Sequence, residues 1–223
     1  MTNGHPYQQR LYAAAQQLGV ALGEAQACAL LTYIEALQRW NRTYNLTALR
    51  DPQQMLVQHV FDSLAIMPTF SRVLDKNTGI GKIIDVGSGA GLPGVVLAVM
   101  RSNWDISCID AVDKKMAFVR QMSGALQLPN LHAVHSRVET LEPLGAHIVV
   151  SRAFASLVDF ATLAGRHAAP GGLLAAMKGH EPQEEVFMLE QQTDWRVSHI
   201  EQLSVPELNA QRCLVWLSRQ GTP

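Results

Sequence analysis

One stretch decides the fold, and it runs from Lys82 to Met100 as KIIDVGSGAGLPGVVLAVM. Ile83 to Val86 form a short apolar run rich in β-branched side chains, which is typical of a buried strand. A glycine-rich loop, Gly87 to Gly91, follows, and an apolar helical pattern then continues to Met100 with Pro93 at its first turn. The stretch therefore predicts a βα turn whose main-chain N–H groups and helix N-terminus approach a nucleoside-like ligand.

Two ligand-binding patterns overlap in this loop. Gly89, Gly91 and Gly94 satisfy the dinucleotide pattern G-x-G-x-x-G, and Asp110 lies 21 positions after Gly89. Read from Asp85, the same loop satisfies D-x-G-x-G-x-G and resembles the S-adenosylmethionine loop of Rossmann-like methyltransferases. A carboxylate at the strand tip repels a pyrophosphate but suits the α-ammonium of a methionine group. The charge argument favours S-adenosylmethionine, and a NAD(P)-dependent oxidoreductase remains the alternative.

Length and composition indicate a folded globular protein. The chain has 223 residues, of which 48% are hydrophobic and 17% charged, with a formal net charge of −1. Its apolar runs are too short to span a membrane, and its N-terminus lacks a secretory pattern, so we expect a cytoplasmic protein. No metal site is expected, because His132 and His135 point to opposite faces of their predicted strand.

Strand and helix patterns alternate after the glycine loop, which predicts a mostly parallel sheet with helices on both faces. The last two strands are joined by a short link, so the C-terminal strand is expected to be antiparallel. The fold class is thus α/β, with a Rossmann-like, seven-stranded sheet. The predicted strands are 83–86, 106–110, 131–135, 147–151, 173–178, 195–203 and 212–217.

The N-terminal part reads as helical. Apolar stripes at three-to-four spacing cover 7–40, and a further helix is expected to begin at Asp51 and to end at Pro68. We therefore predict a helical extension over residues 1–70, packed on a core domain over 71–223. The segment between these helices is rich in arginine and aromatic residues. These side chains could neutralise and stack on RNA, or the aromatic ones could instead pack between the helices and the core.

Right-handed crossovers place the loops that follow parallel strands at one edge of the sheet, where ligands bind in open α/β folds. This rule gathers the glycine loop, Asp110, residues 136–139, Arg152 and Lys178 into one candidate site.

Short motifs spread over nearly the whole chain resemble one family. The chain is similar to the bacterial small-subunit ribosomal RNA guanine-N7 methyltransferases, the RsmG or GidB family, which implies a class I S-adenosylmethionine-dependent methyltransferase. The motifs are Trp40-Asn41 with Tyr44 to Thr47, His59 with Asp62-Ser63, Asp85 to Gly94, Ser136 to Glu139, Ser151 to Ala155, and Lys178-Gly179.

The resemblance implies roles for individual residues. Gly87 and Leu92 would line the cofactor, Asp85 and Gly89 would support its methionine end, and Asp110 would meet its ribose. Further residues would contact the adenine of the cofactor and the RNA substrate. Val138 and Glu139 would meet the adenine, and Arg152 would close the site near the cofactor's carboxylate or the incoming guanine. From residue chemistry rather than from the resemblance, Arg152 and Lys178 are the candidates that orient the guanine. The basic residues expected to contact RNA are Arg42, Arg50, Lys114, Lys115 and Arg120.

The implied reaction is direct methyl transfer to guanine N7 in 16S ribosomal RNA, within the small ribosomal subunit or an assembly intermediate. N7 carries an in-plane lone pair and no proton, so no general base is needed. An arginine or lysine could orient the base through its O6 atom. A nonenzymatic RNA-binding or ribosome-assembly module is a further alternative.

Overall fold

A seven-stranded sheet forms the centre of the protein, of which the computed structural model describes residues 5–75 and 81–220. The strand order is β3-β2-β1-β4-β5-β7-β6. The strands are β1 (Gly81–Val86), β2 (Trp104–Asp110), β3 (Leu131–His135), β4 (Ala146–Ser151), β5 (Ala168–Lys178), β6 (Trp195–Gln202) and β7 (Cys213–Arg219).

Pairing within this sheet confirms the predicted fold class. β1 pairs in parallel with β2 and β4, β2 with β3, and β4 with β5. β7 is antiparallel to both β5 and β6. The C-terminal ends of the parallel strands therefore meet at one edge, with β1 in the middle.

Helices cover both faces of the sheet. None of those in the described ranges is long and apolar enough to cross a membrane. The helices are α1 (Gln8–Gln17), α2 (Glu24–Tyr44), α3 (Pro52–Met55), α4 (Asp62–Leu64), α5 (Met67–Leu74), α6 (Gly94–Met100), α7 (Asp113–Ala125), α8 (Leu157–Ala164) and α9 (Gln183–Gln192), with a π-helical segment at Leu56–Phe61.

The two faces have separate hydrophobic cores because successive strand residues point to opposite sides. Ile83 belongs to the core that contains α1, α2, α6 and α7, whereas Ile84 belongs to the core beneath α8 and α9. The N-terminal helices thus share one core with the sheet. The predicted division between residues 1–70 and 71–223 falls within helix α5 (Met67–Leu74). The outer ends of the two predicted units, 1–4 and 221–223, lie outside the described residues, and the division into two units stays a prediction.

Several predicted boundaries differ from the structure, and two of the differences have a clear physical reason. Pro68 does not end a helix but lies in the first turn of α5, where a missing N–H is tolerated. β5 begins at Ala168 rather than at 173, and its ladder with β4 is irregular between Ala146 and Ile148. This irregularity accommodates Pro170 and the glycines after it within the strand.

Candidate active site

The glycine loop turns sharply at the C-terminal end of β1. Gly87, Gly89 and Gly91 have φ values of 66°, 61° and 89°, in a backbone region that residues other than glycine rarely adopt. A Cβ atom at Gly87 would lie 2.6 Å from the Cβ of Ala153, and one at Gly91 would lie 2.5 Å from Cγ2 of Val95. Glycine is therefore favoured at all three positions by the backbone conformation, and at Gly87 and Gly91 by the lack of space as well.

The N–H groups of this loop are used within the protein. Those of Gly87 and Ser88 donate to the Ile109 carbonyl, at 2.8 and 3.2 Å, and that of Gly89 donates to Oδ2 of Asp110 at 3.0 Å. The prediction that these N–H groups face a ligand was thus wrong for these three residues. Their bonds instead fasten the loop to the end of β2 and leave its glycine Cα atoms at the cleft.

Asp85 lies beneath the loop and not in the cleft. Its side chain is on the α6 side of the sheet, fully buried, and Oδ2 accepts the N–H of Gly94 at 2.8 Å, while Oδ1 has no partner among the described residues. Burial raises the pKa of Asp85 to about 7, against the opposing effects of the Gly94 N–H and of Arg152. This corrects the expected position beside a ligand, because strand alternation directs Asp85 towards the helix.

Asp110 ends β2 and contributes to a cavity of about 300 Å³ that we call the Asp110 cavity. Its carboxylate accepts the N–H of Gly89 and, at 2.9 Å, the N–H of Val112, and it pairs with Lys115 at 3.4 Å. A carboxylate has about four acceptor positions, so these contacts leave capacity for a hydroxyl group.

The same cavity is lined by Val138 and Glu139, as the predicted adenine contact requires. A short 3₁₀ helix, Val138–Thr140, carries both residues. The buried His167 holds this helix, because its Nε2 donates to the Val138 carbonyl at 2.9 Å. Glu139 itself is exposed and lies 3.7 Å from Arg137.

A second cavity of about 170 Å³, the loop cavity, lies on the other side of Gly87. Gly87 and Ala153 line both cavities, and Leu92, Gly89, His59 and Arg152 line the loop cavity. Because a Cβ at Gly87 would collide with Ala153, only glycine leaves room where the cavities meet. Ligand pockets are typically about 300–1,000 Å³, so the two together suit an elongated nucleoside derivative.

Arg152 follows β4 and is held from two directions. Ser151 Oγ donates to the Val86 carbonyl at 2.7 Å, which ties the turn to β1. Nη1 of Arg152 donates to Oδ2 of Asp62 at 3.0 Å and to the Gln58 carbonyl at 3.2 Å. The guanidinium group is therefore fixed beside the loop cavity, with Nε and Nη2 making no hydrogen bond within the described ranges.

His59 lies beside this arginine and is neutral. Its Nε2 is 3.0 Å from Oγ1 of Thr47, and burial together with the positive charge of Arg152 lowers its pKa to about 4. His59 is thus a hydrogen-bonded histidine beside the site.

A third cavity of about 510 Å³, the Arg212 cavity, shares His59 and Arg152 with the loop cavity. Lys178 also lines it, as predicted, but its Nζ contacts four oxygens. These are the carbonyls of Phe154 and Ala155, at 3.2 and 3.3 Å, and both carboxylate oxygens of Glu185, at 3.2 and 2.8 Å. This differs from the predicted role, since an ammonium has three donors and none is left over for a base.

The predicted RNA-contacting residues form two groups. Arg42 and Arg50 lie near the end of α2, and Arg50 donates to the Asn41 carbonyl at 3.0 Å and to the side chain of Asn45. Arg50 directly follows Leu49, which lines the Arg212 cavity. The second group lies on α7 beside the Asp110 cavity, where Lys115 pairs with Asp110, Arg120 pairs with Asp113 at 3.1 Å, and Lys114 is exposed.

Sequence reasoning missed Arg212, which precedes β7. Its Nε donates to Oδ1 of Asp62 at 3.1 Å, across 150 positions of the chain. The Asp62-Ser63 pair belongs to the family-like motifs, but no local pattern marks Arg212. Only the antiparallel insertion of β7 beside β5 places the start of β7 at this edge.

Comparison with known proteins agrees with this geometry. A family model described as rRNA small subunit methyltransferase G matches residues 26–215. A Ribosomal RNA small subunit methyltransferase G from Bordetella petrii is 59% identical over 214 residues, covering 96% of this chain and 84% of that protein. One from Leptothrix cholodnii is 50% identical over 212 residues, covering 95% of each.

A solved structure shows the same fold at low sequence identity. An S-adenosylmethionine-dependent methyltransferase from Aquifex aeolicus superimposes with a TM-score of 0.56 at 19% identity, covering 78% of this chain and 96% of that one. The family model and the curated relatives span most of the chain and confirm the resemblance noted in the sequence. The chain belongs to the rRNA small subunit methyltransferase G family.

Proposed function

We propose that this protein transfers a methyl group from S-adenosylmethionine to N7 of a guanosine in 16S ribosomal RNA of the small subunit. The observation that carries the proposal is the row of three cavities along the C-terminal edge of the sheet, in which neighbouring cavities share lining residues. Two would hold the cofactor and the third the RNA. Membership of a methyltransferase family disfavours both the oxidoreductase and the nonenzymatic alternatives.

The Asp110 and loop cavities suit the cofactor, which supplies an electrophilic methyl group when bound. Asp110 would accept hydrogen bonds from the ribose, and Val138 and Glu139 would contact the adenine. Gly87 and Leu92 would line the passage to the methionine end, while Asp85 supports this region indirectly by holding Gly94. The further proposed contact, Gly89, has open space at its Cα.

Arg152 is the proposed catalytic residue, since it lies where the loop and Arg212 cavities meet. Its remaining guanidinium donors suit guanine O6, which would leave the adjacent N7 lone pair to attack the methyl carbon. His59 is neutral and N7 carries no proton, so no side chain has to remove one. Lys178 would act as a positioning residue, because its ammonium holds the carbonyls of Phe154 and Ala155.

RNA contact is proposed mainly for Arg42 and for Arg50, which directly follows Leu49, a lining residue of the Arg212 cavity. Lys114, Lys115 and Arg120 flank the Asp110 cavity and would contact RNA only if the strand extends across the cofactor. With a net charge of −1, the protein gains little from general attraction to phosphates, which favours a structured subunit over naked RNA.

The test is methyl transfer from labelled S-adenosylmethionine to small subunits that lack the modification, with mapping of 7-methylguanosine by reverse transcription. We expect one labelled guanosine, strongly reduced in Arg152→Met. Arg196→Gln is the matched control, because Arg196 lies on the edge strand β6 and its hydrogen bonds within the described ranges go to the main chain of Thr193 and Trp195. Absence of 7-methylguanosine, despite cofactor binding by calorimetry, would refute the proposed reaction.

A further inference from the structure

The Arg212 cavity contains a charged triad of Asp62, Arg152 and Arg212, of which only Arg152 also lines one of the cofactor cavities. Asp62 is almost fully buried, and its two oxygens accept one hydrogen bond each, Oδ1 from Arg212 and Oδ2 from Arg152. The two arginine side chains are each 24% exposed. One carboxylate therefore holds two guanidinium groups at the cavity wall and leaves the triad with a net positive charge.

Arg212 is the member of this triad that keeps donors without a role in the proposed methyl transfer. Nε is bonded to Asp62 and Nη1 donates to the Gln211 carbonyl at 2.9 Å, whereas Nη2 has no hydrogen-bond partner among residues 5–75 and 81–220. Lys178 adds little positive charge to the cavity, because Glu185 neutralises it at 2.8 Å. Arg212 is thus the cation available on the side away from the cofactor.

The chemistry of this cavity suits a phosphate more than a base. A guanidinium group offers planar pairs of N–H donors that match phosphate oxygens, and partial burial strengthens the contact. The described lining contains no Phe, Tyr or Trp on which a base could stack. The apolar lining, Ala48, Leu49 and Met177, would exclude water around the bound group.

The local fold explains how Asp62 reaches both arginines. Asp62 directly follows the π-helical segment Leu56–Phe61, whose wider turns change the direction of the side chains that come after it. Within that segment, His59 lines the same cavity, and the Gln58 carbonyl accepts a hydrogen bond from Arg152. At the end of this irregular helix, the Asp62 carboxylate therefore accepts one hydrogen bond from Arg152, which follows β4, and another from Arg212, which precedes β7.

We propose that the Arg212 cavity binds a backbone phosphodiester of the RNA strand beside the target guanosine. Arg212 donates to the phosphate oxygens, and Asp62 is a positioning residue that holds Arg212 in register with Arg152. This inference rests on the proposed function, since it names the substrate contact of the same site. It assigns to Arg212 a role in RNA affinity that is separate from cofactor binding.

The experiment compares Arg212→Gln, Arg212→Lys and the control Arg196→Gln with the unaltered protein. Equilibrium binding to unmodified small subunits is measured by sedimentation at several salt concentrations, beside methyl-transfer kinetics and cofactor calorimetry. For Arg212→Gln we expect subunit Kd and KM to rise about tenfold, with kcat and cofactor Kd within about twofold. The slope of log K against log salt should fall in magnitude by about 0.7, one phosphate contact on a single strand.

Arg212→Lys keeps the charge and should retain the salt slope while recovering part of the affinity. Asp62→Asn also keeps both arginines charged, so KM should rise without a smaller slope. An unchanged slope in Arg212→Gln, with a lower kcat or weaker cofactor binding, would overturn the inference and assign Arg212 a structural role. Because the slope is measured by binding, a failure of methyl transfer itself is a separate outcome that contradicts only the proposed reaction.

Discussion

Replacing Asp85 by asparagine should change how the stability of this protein depends on pH. The Asp85 carboxyl is fully buried, and burial raises its pKa from 3.8 to about 7. The folded protein therefore holds this proton more tightly than the unfolded chain does. Its contribution to the free energy of unfolding is fully present below about pH 3.8 and is lost as the pH rises through about 7.

The size of this loss follows from the two pKa values. At about 1.4 kcal/mol per pKa unit, the loss reaches about 4 kcal/mol when the pH is well above 7. More than half of it falls between about pH 5 and about pH 8. The asparagine side chain would keep an oxygen that can accept the Gly94 N–H but would not titrate, so this pH dependence should disappear in the Asp85→Asn variant.

Urea unfolding of both proteins at about pH 5 and about pH 8 measures the effect, because other titrations are shared and cancel in the difference. Ser88→Ala is the matched control, since it removes a neighbouring buried hydroxyl that has no hydrogen-bond partner among the described residues and does not titrate. We expect Asp85→Asn to gain stability relative to the unaltered protein as the pH rises. Parallel pH profiles for the two proteins would refute the reasoning, because they would mean that Asp85 stays ionised when buried.

Three further predictions concern the loop and its neighbours. Gly87→Ala should weaken S-adenosylmethionine binding by about tenfold or more, because φ at this position is 66° and the new Cβ would lie 2.6 Å from the Cβ of Ala153. Calorimetry measures this affinity, and an unchanged value would contradict the prediction. Tyr33→Phe should lower the free energy of unfolding by about 1–2 kcal/mol, because the buried Ala90 carbonyl loses a 2.9 Å hydrogen bond from the tyrosine hydroxyl. Urea unfolding measures this difference, and equal stability of the two proteins would count against the prediction. His59 should show the NMR shifts of a neutral imidazole down to about pH 5, because its pKa is about 4; titration near 6.5 would show that the ring is not desolvated.

Much of the site edge was predictable because it depends on local patterns and one topological rule. The β-branched run, the glycines and the apolar helix that follow one another specify β1, the loop and α6 without distant contacts. Parallel strands joined by right-handed crossovers then bring Asp110, residues 136–139 and Arg152 to one edge. The observed cavities contain all of these residues.

The roles of individual side chains were less predictable. Asp85 and Lys178 have the right residue types at the right strand ends, yet one is directed beneath the loop and the other is held by Glu185 from α9. Side-chain direction depends on what packs around each group, and the motif itself does not contain that information.

The sequence by itself determined the fold class, the family and the edge of the sheet at which the site lies, because each follows from periodicity, glycine spacing or motifs that are local in the chain. Only the tertiary structure decided which charges meet there. Asp62 is separated from Arg152 by 90 positions and from Arg212 by 150, so no spacing rule connects them. Their pairing arises because the N-terminal helices pack on the sheet and β7 inserts between β5 and β6, which buries one carboxylate between two arginines.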